Sequence, residues 1–125
     1  MRKSVLLLGF LFTTLLVSAQ EKAEIQFKEE TIDYGKISRG SDGVRVFEFT
    51  NTGDAPLVIT NVRSSCGCTI PKKPEEPILP GQTGQIEVKY DTNRAAGPFR
   101  KAITVSSNAN SPTKILKIKG ELIEE

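Results

Sequence analysis

Apolar residues recur at every second position in short runs along this chain, and each run is cut off by Gly, Pro, Asn or Asp. That period is the one of a half-buried strand, and no segment sustains the 3.6-residue period of an amphipathic helix. The clearest run is 85–91, where Ile86, Val88 and Tyr90 alternate with Glu87, Lys89 and Asp91. Further strands are predicted at 24–28, 31–37, 43–50, 57–63, 99–106 and 114–122. The first two read as one broken edge strand around Gly35. Phe47 and Phe49 share one parity while Val44 and Val46 share the other, which calls for a bulge or for burial on both faces. Gly120 reads as the mark of a bulge before Leu122.

The punctuation between runs predicts the connections. Asn51-Thr52-Gly53-Asp54 reads as a turn joining its two flanking strands in a hairpin. Pro71, Pro74, Pro77 and Pro80 exclude helix and central strand, so the segment containing them reads as an extended crossover. About seven strands in about 100 residues predict an all-β, immunoglobulin-like antiparallel sandwich. An antibody-type domain is excluded, since the chain has no Trp and its two cysteines are one residue apart.

Residues 1–19 read as a signal peptide and 20–125 as the sandwich domain. Arg2 and Lys3 precede an apolar stretch from Val5 to Val17, and Val17-Ser18-Ala19 supplies small residues for cleavage before Gln20. The stretch is shorter than the roughly 20 residues a membrane-spanning helix needs, so no stable membrane insertion is expected after cleavage. The expected location is periplasmic or extracellular. Cleavage would remove Arg2 and Lys3 from 17 basic residues and leave 15 against 15 acidic ones. A formally neutral domain lacks the electrostatic footprint of a nucleic-acid binder.

Any redox or metal chemistry must pass through Cys66-Gly67-Cys68, because the chain has no other cysteine and no histidine. Three readings stay open. The first is a disulfide with a structural or loop-shaping role, which an exported protein favours and which Gly67 would permit through a tight backbone turn. Closing so short a loop is worth only about 1.6 kcal/mol on the chain-entropy model, so shaping a contact loop is its better use. The second is thiol-disulfide exchange, for which only Arg63, Lys72 and Lys73 are candidate activating cations. The third is a soft metal, Cu(I) first, held by Cys66 and Cys68; a structural zinc wants four ligands and would need a second chain. Ser65, Gly67 and Thr69 are the adjoining contact candidates. No cofactor and no catalytic residue is expected: serines 64, 65, 106 and 107 lack a histidine, and Asp33, Asp42, Asp54 and Asp91 sit where carboxylates cap turns.

The signatures Phe47-Glu48-Phe49-Thr50-Asn51-Thr52-Gly53, Pro56-Leu57-Val58-Ile59, Ser65-Cys66-Gly67-Cys68-Thr69, Ile78-Leu79-Pro80-Gly81 and Gly97-Pro98-Phe99 occur in that order. In this the chain resembles the bacterial domain-of-unknown-function family 1573 across most of its length. The resemblance implies an exported relative of immunoglobulin-like binding and scaffolding modules, with no established reaction. The function expected is therefore a non-catalytic binding module of the bacterial cell envelope, its partner another exported or envelope protein. The Cys66–Cys68 loop and the adjoining segment from Thr69 to Pro80 together form the expected contact surface.

Overall fold

A computed structural model describes residues 21–124. The expected signal peptide lies outside the described residues. Eight strands form: β1 (Ile25–Phe27), β2 (Thr31–Ser38), β3 (Val44–Asn51), β4 (Ile59–Ser64), β5 (Thr69–Lys72), β6 (Thr83–Tyr90), β7 (Gly97–Ser107) and β8 (Thr113–Ile123). They make two four-stranded sheets, ordered β1-β3-β6-β5 and β2-β8-β7-β4. Inward-facing residues of both sheets form one core, with Phe47, Leu57, Ile86, Val88, Ile103, Leu116 and Ile118 at most 1% exposed. The all-β immunoglobulin-like sandwich is thus the fold.

Several local expectations are corrected. The runs at 24–28 and 31–37 are edge strands of different sheets, because the chain changes sheet between β1 and β2. β2 then pairs parallel with β8, while the other strand pairs are antiparallel. Nor is 51–54 a hairpin turn: β3 and β4 lie in opposite sheets, so the chain arches from one to the other. β3 has neither a bulge nor two buried faces. Its register with β6 is unbroken and Val46 is simply 42% exposed on the outer face. The bulge expected at Gly120 belongs to its partner. β8 keeps register with β7 through Gly120, whereas β2 slips between Asp33 and Lys36, at Tyr34 and Gly35. Gly120 is small because a Cβ there would meet the Phe99 ring and Tyr34 Cβ, both at 2.8 Å.

The proline-rich crossover contains a strand that alternation does not reveal. Cys68 C=O accepts from Asp91 N–H at 2.8 Å, so the pairs 70–89 and 72–87 follow as hydrogen-bonded ones. Pro71, opposite Val88, then falls where the amide points away from the sheet. An edge position of that kind tolerates the missing donor.

Candidate functional site

β4 and β5 are edge strands on the same side of the sandwich, and Cys66-Gly67-Cys68 carries the chain from one sheet to the other. Ser65 prolongs the β4–β7 ladder: its N–H donates to Ala102 C=O at 2.9 Å and its Oγ accepts from Ala102 N–H at 3.2 Å. Cys66 N–H donates to Ser64 Oγ at 3.1 Å, and Thr69 N–H to Cys66 C=O at 3.3 Å. Cys66 and Cys68 form a disulfide with Cα atoms 5.4 Å apart, inside the usual range for such bonds. The two sulfurs differ in setting. Cys68 is 7% exposed and belongs to the core, while Cys66 is half-buried and packs against it. Cys68 N–H points at Cys66 Sγ, 3.1 Å away.

A cleft of about 520 Å³ lies beside the loop, with Gly67, Cys68 and Ile70 on one wall and residues 40–43 and 89–93 on the others. Its polar wall is internally satisfied. Gly40 N–H donates to Thr92 C=O, Thr92 Oγ1 to Ser41 C=O at 2.6 Å, Val44 N–H to the Asp42 carboxylate at 3.0 Å, and Asn93 N–H to the Asp91 carboxylate at 2.9 Å. Apolar surface enters at Ile70, which is 62% exposed on the β5 edge. Preformed polar walls with one protruding aliphatic side chain suit contact with another molecule better than chemistry.

An aromatic cluster braces this end of the sandwich. Tyr90 and Phe99 stack at 4.0 Å, Tyr34 meets both edge-on, and the Arg45 guanidinium lies 4.1 Å from the centre of the Tyr34 ring. Tyr34 O–H donates to Gly43 C=O at 2.7 Å. Burial is the main cause that pushes the Tyr34 phenol from 10.0 up to about 12; Arg45 opposes it, and Asp42 and Tyr90 add to it. Burial likewise raises Tyr90, against Arg94 and with Asp91. The folded chain therefore keeps protons that the unfolded chain loses above pH 10. Stability from these phenols is fully present below pH 10 and falls as pH rises toward 12. The chain has two tyrosines, so phenolate absorbance reads this cluster alone. In the folded protein the absorbance should appear well above pH 10, and in urea-unfolded protein near 10. A folded-state midpoint at 10 would contradict the burial assigned here.

The predicted site residues divide. Cys66, Gly67 and Cys68 come together at a strand end, as expected, and Ser65 is exposed beside them. Thr69 is a correction: it is 3% exposed, with Oγ1 3.8 Å from Cys68 Sγ, so its side chain faces the interior and cannot be a surface contact. Gly67 corrects a second expectation. Its φ lies outside the left-handed region and a Cβ there would meet nothing within 4 Å, so the loop does not depend on glycine's freedom. The carboxylates of Asp33, Asp42 and Asp91 accept backbone N–H groups two residues on. Among the described residues no three His, Cys, Asp or Glu side chains gather as a metal site.

Two residues here were not singled out from the sequence. Ile70 falls inside the segment expected to make contact, but no alternation in that proline-rich run marks it as the exposed aliphatic side chain. Lys101 occupies the inward-facing parity of β7 with Phe99, Ile103 and Val105, yet is only half-buried. Ser64 pairs with Ile103 and Ser65 bonds to Ala102, so the β4–β7 register carried one step further sets Lys101 opposite Cys66.

Comparison with known proteins supports the fold and leaves the activity open. The model of a family described as "Protein of unknown function (DUF1573)" matches residues 25–122. No curated protein matches the sequence. Among solved structures, a protein of unknown function from Porphyromonas gingivalis W83 superposes with a TM-score of 0.73 at 18% identity, over 96% of this chain. This chain spans only 55% of that protein's length. PapD-like domain 7 of human CEP192 superposes at 0.68 and 10% identity, over 93% of this chain and 99% of the domain. The YadV chaperone superposes at 0.56 and 12% identity, over 82% of this chain and 52% of the chaperone. No helix among the described residues is long and apolar enough to cross a membrane.

Proposed function

We propose that this chain, which belongs to the DUF1573 family, is an exported, non-catalytic protein-binding module of the bacterial cell envelope, with residues 1–19 as its cleaved signal peptide. Its contact surface is the sandwich end formed by the Cys66–Cys68 loop, Ile70 and the adjoining cleft. One observation carries this reading: Ile70, 62% exposed, stands on an edge strand immediately after a loop locked by a disulfide. An exposed aliphatic side chain on an ordered edge strand beside a pre-ordered loop gains contact energy with little ordering cost at binding. The likeness to a PapD-like domain and to a protein named a chaperone lends support at the level of fold.

The test is partner capture with purified protein and envelope extract. Ile70→Glu, and separately Cys66→Ser combined with Cys68→Ser, should each lower recovery of specific partners about tenfold or more, the scale of one lost anchor residue. The melting temperature of each variant controls for unfolding. A specific partner set that survives both changes in a folded protein would refute this surface.

A further inference from the structure

Charge is not spread evenly over this formally neutral domain. The adjacent strands β4, β7 and β8 carry Arg63, Arg100, Lys101, Lys114, Lys117 and Lys119 against a single acidic residue, Glu121. Of these, Lys114 is held by Glu30 at 3.1 Å and Lys101 has the inward-facing parity. The other four alternate with the residues that face the core, so they share the outer face of the sheet. Arg100 stands directly opposite Lys119, Lys117 opposite Ala102, and Arg63 opposite Thr104. Like charges set directly opposite one another oppose folding. Among the described residues none of the four belongs to an ion pair. Asp33, level with Lys119 on β2, spends its carboxylate on Gly35 N–H at 2.9 Å. A cleft of about 460 Å³ opens on this face beside Gly120, with Lys36, Arg100 and Lys119 along its walls against Asp33 and Glu121.

We infer that the outer face of the β2-β8-β7-β4 sheet docks an acidic stretch of another polypeptide, with Arg63, Arg100, Lys117 and Lys119 receiving its carboxylates. The cross-strand repulsion between Arg100 and Lys119 is a cost to the isolated domain that an anionic partner removes. A guanidinium offers a carboxylate two parallel N–H bonds, and two of the four cations are arginines. Lys117 and Lys119 are two residues apart on one strand, about 6.8 Å, which is the interval at which an extended chain repeats side chains on one face. Ala102, Thr104 and Ile115 lie among the cations, and Ile115 is 44% exposed. Small and aliphatic side chains ringed by charge give a polypeptide something to cover, whereas lipid head groups or a phosphate backbone would engage the charges alone. This face goes beyond the surface of the preceding subsection and does not depend on it, since Ile70 stands on the other sheet.

Fluorescently labelled poly-L-glutamate, titrated with the purified protein at low ionic strength where surface charge is least screened, tests this face. Saturable binding is expected, weakened about tenfold or more by Arg100→Gln combined with Lys119→Gln, the scale of lost charge-assisted contacts. Arg63→Gln combined with Lys117→Gln, which leaves the cross-strand pair in place, should weaken it comparably. Ile70→Ser should leave it unchanged, so that failure of this face and failure of the surface proposed above are told apart. Replacing Arg100 and Lys119 should not lower the melting temperature, because the change removes a repulsion. A fall of more than about 5 °C would assign the pair to the fold and overturn the inference. So would the absence of saturable binding to polyglutamate, or binding that ignores both double variants. Tighter binding to phosphatidylglycerol vesicles than to polyglutamate would overturn the polypeptide as the partner.

Discussion

Asn51→Ala should lower the unfolding free energy by about 3 to 4 kcal/mol, roughly 1 kcal/mol for each side-chain hydrogen bond removed. The Asn51 side chain is fully buried and uses its whole amide. Nδ2 donates to Ala55 C=O at 2.8 Å and to Ile78 C=O at 2.9 Å; Oδ1 accepts from Gly53 N–H at 2.9 Å and from Glu24 N–H at 3.3 Å. Those four groups come from the arch after β3, the approach to β1 and the Leu57–Ile78 bridge. Alanine would leave these part-buried groups without their partner, and a polar group shielded from water costs more unpaired than an exposed one. A small domain typically has about 5–15 kcal/mol in all, so this loss should show as a much lower urea midpoint with unchanged slope. Asn51→Asp should be no better, because a carboxylate would be set against two carbonyls. A shift below about 1 kcal/mol for Asn51→Ala would mean that water or rearrangement satisfies these groups.

Gly43→Ala should cost about 3 kcal/mol, at the upper end of what overpacking a tight site produces. A Cβ at Gly43 would stand 2.0 Å from Tyr90 C=O and 3.0 Å from Thr92 Cγ2. The carbonyl belongs to β6 and cannot swing aside, since Gly43 C=O in turn accepts from Tyr90 N–H at 3.0 Å and from the Tyr34 hydroxyl. Room for the methyl group could come only from parting the two strands where the aromatic cluster and the cleft begin. Gly67→Ala, a short distance across that cleft, meets nothing and should stay within about 0.5 kcal/mol of the parent. Urea unfolding of the two variants in parallel decides the matter. Equal losses would show that the two glycines are under the same constraint, against the geometry described.

The fold class was legible because period-two alternation survives wherever one strand face is buried and the other wet. Ile86, Val88 and Tyr90 are all at most 3% exposed, between exposed Glu87 and Lys89. Sheet membership was not legible. The residues of 51–54 announce that the chain reverses, but the sheet it enters depends on distant partners such as Ile78, which Asn51 bonds from 27 positions away. β5 was hidden for a similar reason: proline excludes a central strand by removing a donor, and only the register with β6 reveals that Pro71 needs none. At the candidate site, the placing of Cys66 and Cys68 at a strand end followed from the run before them. The burial of Thr69, the exposure of Ile70 and the position of Lys101 depend on which strand lies alongside, and a single chain does not display its neighbours.

The most direct measurement of the contact surface is photo-crosslinking in the living envelope, with a photoreactive amino acid at position 70 and, in a second strain, at position 54. Asp54 is exposed and lies at the opposite end of the sandwich, after β3 rather than before it. The account predicts discrete protein adducts from position 70, lost when Cys66 and Cys68 are both replaced by serine, and none from position 54. Adducts from position 54 alone, or the same adducts from both positions, would contradict it.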